Sequence, residues 1–102
     1  MQDKRNIDPG FWSRADAYLK LANEHCDDAQ VGEVRASMLY AAARFAAFTV
    51  AAQAPDAEVL KAGAAHAVAH FTDEFRKMLE DNFRDQVSHF DAYFPRTKGG
   101  SA

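Results

Sequence analysis

Between Pro55 and Pro95 the chain carries a long helix-forming run that only Gly63 interrupts. Pro55 is placed to open a helix, where its missing amide hydrogen is not needed. Pro95 closes the run, because proline cannot continue the hydrogen-bond ladder. Leu60, Ala64, Val68, Phe71, Phe75, Met78, Leu79, Asn82, Gln86 and Phe90 recur at helical spacing and trace one stripe. Phe83, Val87 and Phe94 widen it to one side. Some 38 residues at about 1.5 Å each make a rod of roughly 57 Å. The spacing predicts a third helix over 56–94, and everything before it must be arranged against that rod.

Two shorter helices precede it. The first is expected over 9–26, opened by Asp8-Pro9 as cap and first helical position. Phe11, Ala15, Tyr18, Ala22 and Cys26 share a face, with Trp12 and Leu19 on the same broad side. Aromatic residues at the start of such a helix are expected in the core. The segment CDDAQVG breaks the pattern as a loop. The second helix is expected over 30–53, roughly 33 Å long. Val34, Met38, Phe45, Phe48 and Ala52 form a core stripe on one side. The opposite side carries Ala36, Tyr40, Ala43, Ala47 and Ala51, a smooth surface on which another helix packs closely. A helix apolar on two sides is one buried on two sides. It is not a membrane span: Arg44 stands near its middle, where a charge costs about 2.5 kcal/mol or more.

The fold class is therefore all-α, a three-helix bundle with a long C-terminal helix. The 102 residues suit one domain with one modest core, with 1–7 and 96–102 as frayed tails. Hydrophobic residues at 48% and charged residues at 26% mark a globular chain. A net charge of −3, with its bases dispersed among acids, argues against nucleic acid as a partner. Cys26 is the only cysteine, so there is neither an intrachain disulfide nor a CxxC pair. The opening MQDKRNIDPG has no apolar signal core. A reducing cytoplasm is the simplest compartment.

The strings FWSRADAYLKLANEH, MLYAAARFAAFTVAA and FTDEFRKMLEDNFRDQVSHFDAYF, above all the AAARF-x-AF core, resemble a bacterial family of small helical proteins classed as a domain of unknown function. The resemblance covers nearly the whole chain. In that family an Asn often stands where this chain has Ala46, so no polar group is required there. The resemblance implies a cytoplasmic all-α protein and carries no activity, cofactor or catalytic residue with it.

Candidates for chemistry are few. His66, His70 and Glu74 recur four apart on the third helix, with Asp73 alongside. Two imidazoles and a carboxylate on one face suit a divalent metal. They lie opposite the Phe71–Phe75–Met78 stripe, however, and a solvated face of His–acid and Lys–acid neighbours is the preferred reading. Cys26 beside His25 suggests an activated thiol, but successive helical residues point about 100° apart. Cys26 is expected as a small buried hydrophobe at a helix end. Arg44 is expected to snorkel or to pair with Glu24 or Asp16. No phosphate loop, GxSxG elbow or HExxH motif occurs. No enzyme and no cofactor is expected.

Two classes of function remain. The preferred one is a homo-oligomeric module acting through protein–protein contact. The alternative is a helical bundle holding a small ligand or a metal. The hairpin at Ala54-Pro55 makes the second and third helices antiparallel neighbours, so cover is expected only to about residue 78. Phe83, Val87, Phe90, Tyr93 and Phe94 then project beyond it. With Ala36, Tyr40, Ala43 and Ala47 they are the expected interface of a homodimer. A kink near Gly63 or Asn82 is the competing arrangement.

Overall fold

A computed structural model describes residues 8–95; the expected tails at 1–7 and 96–102 lie outside the described residues. The elements in order are α1 (Phe11–His25), α2 (Val31–Ala51), α3 (Ala57–Ser88) and the single turn α4 (Phe90–Tyr93). The described residues are 82% helical and contain no strand. The chain divides into two units between Thr49 and Val50, taken here in turn.

In the first unit α1 begins two residues later than the sequence pattern suggests. Asp8 does not cap the helix. Its side chain accepts the Gly10 amide at 2.9 Å and grips the Arg14 guanidinium at 2.8 Å. Its carbonyl accepts the Phe11 amide at 3.1 Å. That turn leaves Gly10 in the cap position, with no side chain to offer. The Arg14 hydrogen bond holds the Asp8 carboxyl below its ordinary value, helped by the Gly10 amide. At the other end the Cys26 amide donates to the Ala22 and Asn23 carbonyls at 3.2 and 3.1 Å. Cys26 itself is exposed, not buried, because it sits where the helix opens into the Asp27–Asp28 turn. Glu33 starts α2 by reaching back to the Gln30 amide at 3.0 Å, one half of a capping box.

Val34, at 7% exposure, is the one buried residue among those described. The rest of its expected core stripe is corrected: Met38, Phe45 and Phe48 are exposed, Phe45 by 68%. Trp12, expected in the core, is also exposed, although Phe11 meets its ring edge-on at 4.8 Å. Among the described residues α1 does not pack along α2, so these faces gain no cover from within their own unit.

In the second unit α3 starts as the sequence requires. The Asp56 side chain accepts the Val59 amide at 2.9 Å, a side-chain N-cap. The helix runs unbroken through both suspected kink points. Gly63 has ordinary negative φ, and an added Cβ there meets open space. Asn82 bonds back to the Met78 carbonyl at 2.8 Å without interrupting the ladder. The helix does not reach Phe94. It ends at Ser88, where His89 leaves helical geometry at φ −120° and ψ 25°. Its 32 residues span about 48 Å. Phe90–Tyr93 then form a separate turn, closed by the Tyr93 and Phe94 amides on the His89 and Phe90 carbonyls at 2.9 Å each.

Candidate functional site

The C-terminal half of α3 brings apolar and charged groups together on one surface. Leu79, Phe83 and Val87 follow one another at i, i+4 and i+8, so they stack on one side of the helix. Arg76, Glu80 and Arg84 flank them, and the six residues line a shallow open groove. Phe83 is 62% exposed and Val87 75%. Both were expected at an interface, and both stand free of cover.

Charge on α3 is arranged as a ladder. Asp73 pairs with Arg76 and, at 3.2 Å, with Lys77. Arg76 reaches forward to Glu80 at 3.2 Å, and Arg84 pairs back to Asp81. The Arg76 hydrogen bond, then the Lys77 one, holds the Asp73 carboxyl below its ordinary value. Asp73, then Glu80, raises Arg76 in turn. The Asp73, Arg76, Lys77 and Glu80 side chains are solvent-exposed, where ion pairs contribute little to stability.

The other sequence candidates separate. Ala36, Tyr40, Ala43 and Ala47 lie along α2 and are all exposed. Phe90 and Phe94 belong to the terminal turn, with rings stacked at 5.1 Å and a 33° tilt. The break at His89 separates that pair from the Phe83–Val87 row. His70 lies 3.7 Å from Glu74, an ordinary i,i+4 pair, and its ring meets Phe71 edge-on at 5.3 Å. His66 does not join them: no group of three His, Cys, Asp or Glu placed to hold a metal occurs among the described residues. Arg44 has no acidic partner among the described residues, neither Glu24 nor Asp16; Glu24 pairs with Lys20 at 2.7 Å instead.

One cluster escaped the sequence reading. Tyr93 donates its hydroxyl to Asp85 Oδ2 at 2.8 Å, and His89 Nδ1 lies 3.1 Å from Asp85 Oδ1. The His89 and Tyr93 rings are 5.6 Å apart. Asp85 thus ties the terminal turn to the last turn of α3. The signal was present as Asp, His and Tyr four apart in DQVSHFDAY. The Asp85 hydrogen bond, with some desolvation, raises the Tyr93 hydroxyl above its ordinary 10.0. A group whose pKa is raised in the fold contributes stability below its unfolded value and loses it as pH climbs through the raised one. The tyrosinate absorbance that Tyr93→Phe removes should therefore appear with a midpoint above 10.0. A midpoint at or below 10.0 would show that the hydrogen bond does not form.

No helix among the described residues is long and apolar enough to cross a membrane. No curated protein matches the chain. Among solved structures it is similar to the NMR structure of the protein NB7890A from Shewanella sp, with 30% identity and a TM-score of 0.74. The match covers 91% of this chain and 99% of that one. The model of the family described as "Protein of unknown function (DUF3144)" matches residues 11–87, from the first residue of α1 to the penultimate residue of α3. The chain belongs to that family.

Proposed function

We propose that this protein is a homo-oligomeric helical module of the cytoplasm, without a catalytic centre, that works through protein–protein contact. One observation carries the reading: the Leu79–Phe83–Val87 row on α3 is uncovered. A contiguous apolar strip of this kind marks an interaction surface when it stands among charged residues. The exposed face of α2 around Ala36, Tyr40, Ala43 and Ala47 supplies a second surface of the same sort. Phe90 and Phe94, in the separate turn after His89, supply a further apolar surface. Isologous dimers are the commonest closed assembly, so a twofold pair is the expected form. Multi-angle light scattering at micromolar concentration tests it. A mass of twice 11.3 kDa supports the dimer, and a mass of 11.3 kDa overturns it.

A further inference from the structure

We propose that α3 pairs antiparallel with α3 of a second copy of this chain, crossing at Leu79, with Arg76 of each chain beside Glu80 of the other. The proposal rests on the self-association argued above and adds to it a partner surface, an orientation and a register.

The argument is one of self-complementarity. In an antiparallel pair centred on one residue, positions equally far before and after the centre stand at the same level. With Leu79 at the centre, Leu79 meets its own copy. Phe75 then stands level with Phe83 of the partner, and Phe71 with Val87. Thr72 stands level with Gln86. Phe75 and Phe83 thus meet near the contact line, as do the polar Thr72 and Gln86, while Phe71 and Val87, about 80° to opposite sides, flank the seam. At about 100° per residue, Thr72 and Gln86 fall within roughly 20° of the Leu79 direction. Phe75 and Phe83 fall within about 40° of it.

Charge decides the orientation. Arg76 and Glu80 sit on the same flank, roughly 60° and 100° from the Leu79 direction. The twofold axis brings that flank of one helix against the same flank of the other, with Arg76 less than one turn from the partner's Glu80. Within one helix the same two side chains already meet at 3.2 Å, so their reach suits the contact. A parallel, in-register pair would instead carry Arg76 and Glu80 of the second chain to the opposite flank, out of reach of these cross-chain partners. Only the antiparallel arrangement gains these opposite-charge contacts. Asp73, Lys77, Asp81 and Arg84 form intrahelical pairs and lie nearer the rear of the helix, away from the contact line.

The test is a pair of single-cysteine chains. Cys26 is an exposed thiol, so both are built on Cys26→Ala. One carries Thr72→Cys and the other Gln86→Cys, both exposed polar positions outside the apolar row. The chains are refolded together or separately and treated with a short bis-maleimide. The antiparallel register predicts cross-linked dimer from the mixture, several-fold above that from either variant alone. Strong self-cross-linking of each variant, without enrichment in the mixture, means a parallel pair and overturns the proposal. No cross-link from chains that still weigh twice 11.3 kDa overturns the register but leaves self-association standing. A mass of 11.3 kDa for the unmodified chain overturns both.

Discussion

Phe83→Glu should convert the dimer to a monomer of 11.3 kDa while helix content stays nearly unchanged. Phe83 is 62% exposed in the single chain, so no intrachain packing depends on it. It lies on α3 about a turn and a half before the end, and glutamate is the better helix former of the two. In a twofold contact the change counts twice. Each copy forfeits about 1.5–3 kcal/mol of apolar burial and places a carboxylate in the contact. A loss of about 3 kcal/mol or more weakens association at least about a hundredfold. Sedimentation across a concentration series reads this directly. A variant that remains dimeric and merely melts lower would move the interface off this face and leave the α2 alanine surface as the contact.

The second large effect concerns the length of α3. Gly63→Pro should cost about 3 kcal/mol or more, because proline removes one ladder hydrogen bond and drives its ring into the carbonyl of Val59. Val59 is also the residue whose amide Asp56 caps, so the damage falls on the first two turns together. Gly63→Ala is the control. The space beside Gly63 is open, and alanine in a helix interior is better by about 1 kcal/mol. Thermal melts of the two variants should move in opposite directions. If proline is accepted at no cost, α3 does not run through this position in solution.

Much of this fold was legible because helices write their signals locally. Pro55, Asp56 and the stripe from Leu60 onward place the start of α3 to within a residue. The loop after His25 is just as clear, whereas α2 ends at Ala51, two residues short of the expected 53. The misplaced start of α1 and end of α3 have local causes of another kind. Asp8 looks like a cap, but Arg14, a turn and a half on, takes its carboxylate and builds a turn instead. Phe90, Tyr93 and Phe94 keep helical spacing, so periodicity cannot see that His89 leaves the helix. Only the competing claims of Asp85 on His89 and Tyr93 betray it. Burial was the weak point of the reading. The stripe of Met38, Phe45 and Phe48 states that a neighbour is wanted; it does not state whether that neighbour comes from the same chain. The exposure of Phe83 and Val87 was legible for the converse reason, since an apolar row far along a rod has few places to hide.

The ion pairs and side-chain hydrogen bonds described above share one property: the most distant of them, Tyr93 to Asp85, joins residues eight apart. Order of that kind needs little loop closure, and helix formation takes about a microsecond or less. Covering the Leu79–Phe83–Val87 row by the proposed second copy is different, because it waits for two chains to meet. In the proposed dimer the two timescales separate. Secondary structure should return at a rate indifferent to concentration, and the covered apolar surface at a rate that rises with it. Newly made chains would then pass through a helical, still unpaired stage whose lifetime is set by how many copies the cell holds.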